Sequence, residues 1–117
     1  MKLIVAIIRP DKLDDVQVAL AQRDVYLMTV TDVRGCGRQR GHTEVYRGQE
    51  VKTRLVPKLK LEIAVNEPFV EAAVEAIVHA ARTGDVGTIG DGKIFVLDLH
   101  DAIRIRTGEA GPDAIGP

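Results

Sequence analysis

One pattern occurs twice along this chain: a short apolar strand, an amphipathic helix and a second strand. The first copy covers three segments, residues 2–8, 11–23 and 25–33. The second copy covers residues 58–65, a helix from Pro68 that stops near Gly84, and residues 94–99. Apolar residues recur at helical spacing in both predicted helices, and they alternate with charged residues in the strand at 58–65. Asp11 is expected to cap the first helix, and Gly84 is expected to end the second in a left-handed conformation.

This repeat predicts the fold class. Two strand–helix–strand units interleave naturally as a four-stranded antiparallel sheet with both helices on one face, which is the ferredoxin-like βαββαβ arrangement of the α+β class. A chain of 117 residues is close to one ordinary domain, so we expect a single domain over residues 1–117. The sheet face away from the helices would keep apolar side chains exposed. We therefore expect the protein to self-associate.

The segment between the two copies, residues 35–56, is charged, dotted with glycine and without clear periodicity. Eight basic and two acidic residues lie between Arg34 and Lys60, so that stretch carries +6 while the rest of the chain carries −7. A loop of about 20 residues inside a compact domain is usually functional or mobile. It is either a solvated surface loop or an anion-binding and docking loop, and charge alone leaves both open. The tail, residues 108–117, is rich in Gly and Pro and is predicted to lack regular structure.

Composition excludes several classes of protein. Aromatic residues make up only 3%, with no Trp, so the chain has no aromatic platform for stacking single-stranded nucleic acid. The single cysteine, Cys36, excludes an internal disulfide and a multi-cysteine metal site, and an ordinary free thiol is expected there. No run approaches the ~20 apolar residues of a membrane span. We expect a soluble protein of a reducing compartment.

A glycine-rich segment before the last strand is the sharpest candidate for chemistry. Residues 87–93 fit the pattern G-x-x-x-x-G-K of a phosphate-binding P-loop. Ile94 nevertheless stands where a magnesium-binding Ser or Thr is needed, and the segment leads into a strand rather than a helix, so it is not a P-loop. Its backbone N–H groups beside Lys93 still suit an anion site. The alternative is a flexible glycine turn.

Other candidate residues are scattered. Arg104 and Arg106 are predicted to point to the same side of an extended segment, where two guanidinium forks would suit phosphate oxygens; exposed arginines near a C-terminus are the alternative. The three histidines, His42, His79 and His100, lack the spacing of metal ligands. No catalytic residue is predicted.

Several motifs agree in order and spacing with one known family. They are Ile-Ile-Arg-Pro-Asp-Lys-Leu13, Met-Thr-Val-Thr31, Gly-Cys-Gly-Arg-Gln-Arg-Gly-His-Thr-Glu44, Tyr-Arg-Gly48, Pro-Lys-Leu-Lys60, Asp-Gly-Lys-Ile-Phe-Val96 and Arg-Ile-Arg-Thr-Gly-Glu109. With them the chain resembles the PII nitrogen-regulatory signalling proteins from Met1 to about Glu109.

The resemblance implies a ferredoxin-like homotrimer with a nucleotide in each cleft between subunits. ATP and ADP would compete there, and 2-oxoglutarate would bind beside Mg²⁺-ATP. Residues 36–56 would be the T-loop, which docks on targets such as an ammonium transporter or an enzyme of nitrogen metabolism. The protein would be a regulator rather than an enzyme, would bind no nucleic acid, and would be cytoplasmic, reaching a membrane only through a transporter.

The resemblance also assigns residues. Nucleotide-binding positions are matched by Thr29, Gly35, Gly37, Arg38, Gly87, Gly90, Asp91, Gly92, Lys93, Arg104 and Arg106, the two last arginines being supplied by the adjoining subunit. Positions for 2-oxoglutarate are matched by Gln39, Gly41 and Lys58, and Gln39 also matches the residue that contacts magnesium. Positions that dock on a partner are matched by Tyr46, Arg47 and Gly48.

Two features depart from the family pattern. Val51 stands where many bacterial members carry a modifiable tyrosine, so nucleotidylation is not expected there. The glycine loop is three residues longer than usual, and both residues 84–87 and residues 89–92 resemble parts of its motif. Two other functions stay open: a PII-like sensor of a transporter or enzyme outside nitrogen metabolism, and a slow ATP-hydrolysing phosphotransferase of the same fold.

Overall fold

A computed structural model describes residues 1–38, 44–46, 49–51 and 53–116 of the chain. Its strands are β1 (Lys2–Ile8), β2 (Thr29–Arg38), β3 (Glu44–Tyr46), β4 (Gln49–Val51), β5 (Thr53–Val65) and β6 (Gly92–Asp98). Its α-helices are α1 (Leu13–Ala21), α2 (Glu67–Ala81) and α3 (Pro112–Ile115), and a 3₁₀ turn covers Pro10–Lys12.

Four strands form one antiparallel sheet in the order β2-β5-β1-β6, while β3 and β4 pair separately as a two-stranded ribbon. This order confirms the ferredoxin-like α+β fold, because the two outer strands are the last strands of the two repeated units. The first strand, β1, lies in the centre: Ile4 is opposite Ile63 on one side and Val96 on the other.

The core lies between the helices and one face of the sheet. Alternate residues of β1 and β5 are buried there, because successive side chains of a strand point to opposite faces. From the sheet these are Ile4, Ala6, Ile8, Leu59, Leu61, Ile63 and Val65, and from the helices they are Val16, Leu20, Ala73, Ala76, Ile77 and Ala81. The amphipathic helices and the alternation at 58–65 are thereby confirmed.

The opposite face of the sheet is open. Phe95 is opposite Val5 and Leu97 is opposite Leu3, and both β6 side chains are about half exposed. The predicted uncovered apolar face is therefore present. Across the described part of the chain, no helix is both long and apolar enough to cross a bilayer.

The predicted limits of the long loop are wrong at both ends. Strand β2 continues to Arg38 and β5 starts at Thr53, and the two pair in register from Thr29↔Glu62 to Arg38↔Thr53. Backbone pairing needs no apolar alternation, so glycines and charges hid these strand ends from pattern reading. At its other end β2 begins later than expected. Val25 precedes the strand and is buried in the core instead.

Three smaller predictions about the ends of elements also need correction. Asp11 caps no helix: it lies in the 3₁₀ turn, and α1 begins at Leu13 without a side-chain cap. Gly84 does have a left-handed φ of +65°, but α2 already ends at Ala81. The tail is not irregular throughout, because Pro112–Ile115 form the short helix α3.

Candidate functional site

A cavity of about 730 Å³ lies on the open face of the sheet, between the β2–β5 ribbon and the glycine loop. It brings together five residues from the sequence prediction, drawn from three separate segments: Gly35, Lys58, Gly90, Gly92 and Lys93. Strand register explains this convergence, since Ile7 is opposite Lys93 on one side and Lys60 on the other. The next open-face position along β1, Arg9, therefore falls between Asp91 and Lys58.

The cavity wall is strongly positive. Among the described residues, four cationic side chains line it, Arg9, Arg54, Lys58 and Lys93, against one carboxylate, Asp11. Cys36 is exposed and lies on the same wall. Convergent cations beside backbone N–H groups are suited to phosphate or carboxylate ligands.

Asp91 organises the glycine loop. Its carboxylate accepts hydrogen bonds from the Thr83 hydroxyl (2.6 Å) and backbone N–H (3.0 Å), from the Thr88 N–H (2.8 Å) and from Arg9 Nε (3.0 Å). The Asp91 N–H in turn donates to the Thr88 carbonyl at 3.1 Å, and Arg9 Nη2 donates to the Ile89 carbonyl at 2.9 Å. One carboxylate thus ties together the end of α2, the middle of the loop and the end of β1.

The ionisation of Asp91 reflects this network. Burial alone would raise the pKa of the Asp91 carboxyl, but the hydrogen bonds from Thr83, Thr88 and Arg9 outweigh burial and hold that pKa far below its ordinary value of 3.8. The Asp91 side chain is only 18% exposed. Its lone pairs are directed at protein donors, which gives it a positioning role within the loop.

Gly92 sets how closely the loop approaches β1. Its φ is +108°, and a Cβ atom at this position would lie 1.7 Å from the Ile7 carbonyl oxygen. Gly90 also has a positive φ, +100°, and a Cβ there would lie 3.0 Å from Arg9 Nη2. Only glycine lets the loop pass this close to β1 and Arg9.

Lys58 links β5 to the glycine loop. Its ammonium donates a hydrogen bond to the Gly90 carbonyl. Burial, aided by the neighbouring Arg9 guanidinium, lowers the pKa of Lys58 below its ordinary 10.5, although Asp91 acts in the opposite direction. An ammonium that is partly desolvated beside another cation is a favourable contact for an anion entering the cavity.

Gly87 is not brought to this cavity. It lines a second cavity of about 630 Å³ on the helix side of the glycine loop, together with Val78, Ala81 and Val86. Of the two candidate halves of the loop, only the half from Ile89 to Lys93 reaches the cationic cavity.

Other predicted residues lie away from the cavity, are placed by strand pairing alone, or lie outside the described residues. Thr29 begins β2 opposite Glu62, and neither cavity is lined by Thr29, Arg104 or Arg106. Gly37 and Arg38 continue β2 beyond the cavity residue Cys36 and pair with Arg54 and Thr53, and Tyr46 pairs with Gln49. The positions predicted for 2-oxoglutarate, magnesium and docking that lie outside the described residues are Gln39, Gly41, Arg47 and Gly48.

The arrangement predicted for the arginine pair is wrong. Arg104 and Arg106 do not share one side of an extended segment, because residues 105–107 form a turn. The Arg104 N–H donates to the Glu109 carbonyl at 2.8 Å, and the Gly108 N–H donates to the Arg104 carbonyl at 2.7 Å. Glycine at 108, with φ +73°, favours this turn over the extended strand that the alternation suggested.

Among the residues that the structure describes, no three His, Cys, Asp or Glu side chains are grouped as metal ligands. The side-chain donors that line the cationic cavity are ammonium and guanidinium groups, which bind anions rather than cations.

The sequence matches the family model described as "Nitrogen regulatory protein P-II" over residues 1–109. The chain belongs to the P-II family. Among its relatives is a nitrogen regulatory protein P-II of Rhizobium etli, 53% identical over 115 residues, which are 98% of this chain and 100% of the relative. A Pasteurella multocida protein of the same name is 55% identical with the same coverage. A "Nitrogen regulatory protein P-II 2" of Methanothermobacter thermautotrophicus is 54% identical, over 98% of this chain and 97% of the relative.

Sequence reasoning about this P-II protein missed Arg9, Arg54 and the organising role of Asp91. Arg9 could have been found from register: it follows β1 on the face that carries Lys93 and Lys58, so antiparallel pairing puts it between them. Arg54 lies in a part of β5 that lacks apolar alternation, so no local pattern marks it as part of a strand. The network around Asp91 left no signal, since Thr83 and Thr88 are unremarkable residues of a turn.

Proposed function

We propose that this P-II protein is a cytoplasmic signal-transduction protein that senses ATP against ADP together with 2-oxoglutarate, and that regulates nitrogen assimilation by docking on target proteins. The observation that carries the proposal is the cationic cavity itself. Four cations and the glycine loop meet there although they come from distant parts of the chain. A polyphosphate needs convergent cations, and a glycine-rich loop would be able to add backbone N–H donors to them.

The phosphates of ATP or ADP would bind along Gly90, Gly92 and Lys93, with Gly35 opposite them on β2. Asp91 would hold the loop in shape rather than touch the nucleotide, because its oxygens already accept four hydrogen bonds. Gln39 and the phosphate oxygens would hold Mg²⁺. The bound metal would add positive charge beside the phosphates.

Lys58 would bind a carboxylate of 2-oxoglutarate, assisted by Gln39 and Gly41. In the structure the Lys58 ammonium donates to the Gly90 carbonyl. Binding would exchange that neutral acceptor for a charged one, which makes a stronger hydrogen bond. Because Lys58 alone is not a complete dicarboxylate site, 2-oxoglutarate should bind only together with Mg²⁺-ATP.

A homotrimer would complete the site. Thr29, Arg104 and Arg106 lie away from the cavity of their own chain, so an adjoining subunit would have to supply them. The half-exposed Phe95 and Leu97 on the open sheet face support association, because burying them removes apolar surface from water.

The output would be made by residues 36–56. Tyr46, Arg47 and Gly48 would dock on an ammonium transporter or a nitrogen-metabolism enzyme, and the strands β2 and β5 connect this segment to the cavity. With Val51 in place of a tyrosine, ligands alone would control docking. Mass spectrometry of protein from nitrogen-starved cells should detect no uridylyl or adenylyl group between residues 41 and 54.

Calorimetry with ATP, ADP and 2-oxoglutarate, singly and in combination, tests the proposal. Lys93→Ala should weaken ATP about tenfold or more, since a charge-assisted contact contributes ~1.5–3 kcal/mol. Lys60→Ala is the matched control: Lys60 also lies on the open face but does not line the cavity. Lys58→Met should weaken 2-oxoglutarate far more than ATP.

The proposal fails if the protein binds neither nucleotide, or if Lys60→Ala and Lys93→Ala weaken ATP equally. Tight binding of 2-oxoglutarate without nucleotide would contradict its dependence on Mg²⁺-ATP.

A further inference from the structure

The short helix α3 is held in place by a side chain that lies 46 residues before it in the sequence. Asn66, directly before α2, donates through Nδ2 to the Pro112 carbonyl at 3.2 Å and to the Gly116 carbonyl. These two carbonyls lie at the start of α3 and just after its end. A four-residue helix has no stability of its own, so contacts of this kind must keep it in place.

Asn66 makes these contacts instead of the capping hydrogen bond that is usual for asparagine at the start of a helix. It is the N-cap residue of α2, where an asparagine side-chain oxygen normally accepts a hydrogen bond from the first turn of the helix. No such side-chain bond is formed here. Its Oδ1 atom is buried and has no partner among the described residues, which is an unfavourable state for a polar atom. The N-terminus of α2 therefore lacks the stabilisation of a side-chain cap, and the Asn66 side chain holds the tail instead.

What the tail holds is Arg104. The guanidinium donates from Nη2 to the Asp113 carbonyl of α3 at 2.9 Å and from Nη1 to Glu109 Oε1 at 2.9 Å. These two bonds fix the plane of the guanidinium group and use two of its five N–H donors. Three N–H donors stay available for a ligand, at a side chain that is 35% exposed.

We infer that Asn66 is a positioning residue for Arg104: it anchors α3, and α3 together with Glu109 holds the guanidinium ready for the phosphates of a nucleotide. This inference rests on the proposed function, in which Arg104 reaches the nucleotide of an adjoining subunit. Holding a long side chain in its bound conformation before the ligand arrives raises affinity, because less conformational entropy is lost on binding.

Two substitutions at position 66 separate positioning from simple stability. In Asn66→Asp, the carboxylate cannot donate to the α3 carbonyls, but aspartate is a favourable N-cap for α2. In Asn66→Ala, the anchor is lost and no group that could cap α2 replaces it. Mg²⁺-ATP affinity should fall about three- to tenfold in both variants, while the urea midpoint should be clearly higher for Asn66→Asp than for Asn66→Ala.

Combining Asn66→Asp with Arg104→Ala tests whether Asn66 acts on nucleotide affinity through Arg104. Once Arg104 is absent, Asn66→Asp should cause no further loss of Mg²⁺-ATP affinity. A truncation after Gly111, which removes α3, should reproduce the loss seen with Asn66→Asp. Unchanged or increased affinity in Asn66→Asp would overturn the inference, and so would an equal loss that persists without Arg104.

A readout without nucleotide distinguishes failure of this inference from failure of the proposed function. The resonance of the hydrogen-bonded Nη–H protons of Arg104 in the full-length protein should be resolved and protected from exchange, and in Asn66→Asp it should move toward the value of a free arginine. If the wild-type protein binds no nucleotide, the proposed function fails, yet this resonance still reports on positioning. An Arg104 resonance that does not change in Asn66→Asp overturns the inference whatever the binding data show.

Discussion

The glycine loop, residues 84–92, and the C-terminal segment, residues 104–116, are each held by one charged side chain. The two side chains carry opposite charges. In the loop, the Asp91 carboxylate collects N–H and O–H donors from Thr83, Thr88 and Arg9. In the C-terminal segment, the Arg104 guanidinium distributes its donors to a carboxylate and a carbonyl. Both segments lack a core of their own, and in both one charged side chain with several partners substitutes for it.

The two segments differ in how much depends on that side chain. Asp91 is 18% exposed and accepts four hydrogen bonds, two of them from backbone N–H groups. Arg104 is about twice as exposed, and its carboxylate partner Glu109 is 47% exposed. Water screens the second arrangement more effectively than the first. We therefore expect substitutions in the glycine loop to cost more than comparable substitutions in the C-terminal segment.

The largest effect is expected at Gly92. Gly92→Ala should lower the free energy of unfolding by about 3–5 kcal/mol, because its Cβ atom would collide with the Ile7 carbonyl at an unfavourable positive φ. Gly84→Ala is the control, since Gly84 also has a positive φ but has no atom within 4 Å of the added Cβ. It should cost only about 1 kcal/mol, the strain of the backbone alone. Equal costs in urea unfolding would show that the close approach to β1 is unimportant.

Asp91→Asn should be the next most damaging change, at about 2–3 kcal/mol, because the amide brings hydrogens to atoms that now receive them. The effect has a defined pH dependence. The folded-state pKa of Asp91 lies below the ordinary value of 3.8, so its stabilisation is fully present above that value and is lost as pH falls toward the folded-state pKa. The difference in unfolding free energy between wild type and variant should therefore be constant from pH 7 to about pH 5 and shrink below pH 4. A constant difference down to pH 2 would contradict this.

Glu109→Gln tests the C-terminal segment in the same way, and its cost should be smaller, about 0.5–1 kcal/mol, because the ion pair with Arg104 is partly exposed. This cost should fall further in 1 M salt, whereas the cost of Asp91→Asn should hardly change. Urea unfolding of both variants at low and high salt makes the comparison. The proposed difference between the segments is wrong if Asp91→Asn proves the more sensitive to salt.

Arg106→Ala should have the smallest effect on stability, below about 0.5 kcal/mol, since Arg106 is exposed at the turn and makes no hydrogen bond to the described residues. Arg104→Ala should cost more, because it removes two hydrogen bonds that hold the tail. Thermal unfolding of the pair would show whether Arg104 alone has the structural role.

The sequence predicted the sheet and its helices well, because those depend on apolar periodicity at positions such as Leu59, Leu61 and Ile63. It predicted the structure poorly where backbone pairing or a single polar side chain determines the conformation. The ends of β2 and β5 are held by main-chain bonds that glycine and arginine make as readily as valine does. The turn at 105–107 is closed by main-chain hydrogen bonds between Arg104 and residues 108 and 109, which the alternation of Arg104 and Arg106 does not reveal. The anchoring of α3 by Asn66 depends on contacts between residues 46 and 50 apart, which no local pattern records.

In the candidate site, Gly35, Lys58 and Lys93 were predicted from motifs and do line one cavity. Arg9 was missed although it contacts both the loop and its organising carboxylate. A residue that acts through its neighbours has no motif of its own. It becomes visible only when the register between β1 and β6 is known.

The spacing of the hydrogen-bond donors to Asp91 also determines where the length of the glycine loop can change. The carboxylate accepts hydrogen bonds from Thr83 on one side and Thr88 on the other, so residues 84–87 bridge two fixed points without forming a hydrogen bond to Asp91. Val86 is 96% exposed, and an added Cβ at Gly84 meets only open space. Residues added or removed between Thr83 and Thr88 in this chain should therefore leave Gly90, Gly92 and Lys93 in their positions.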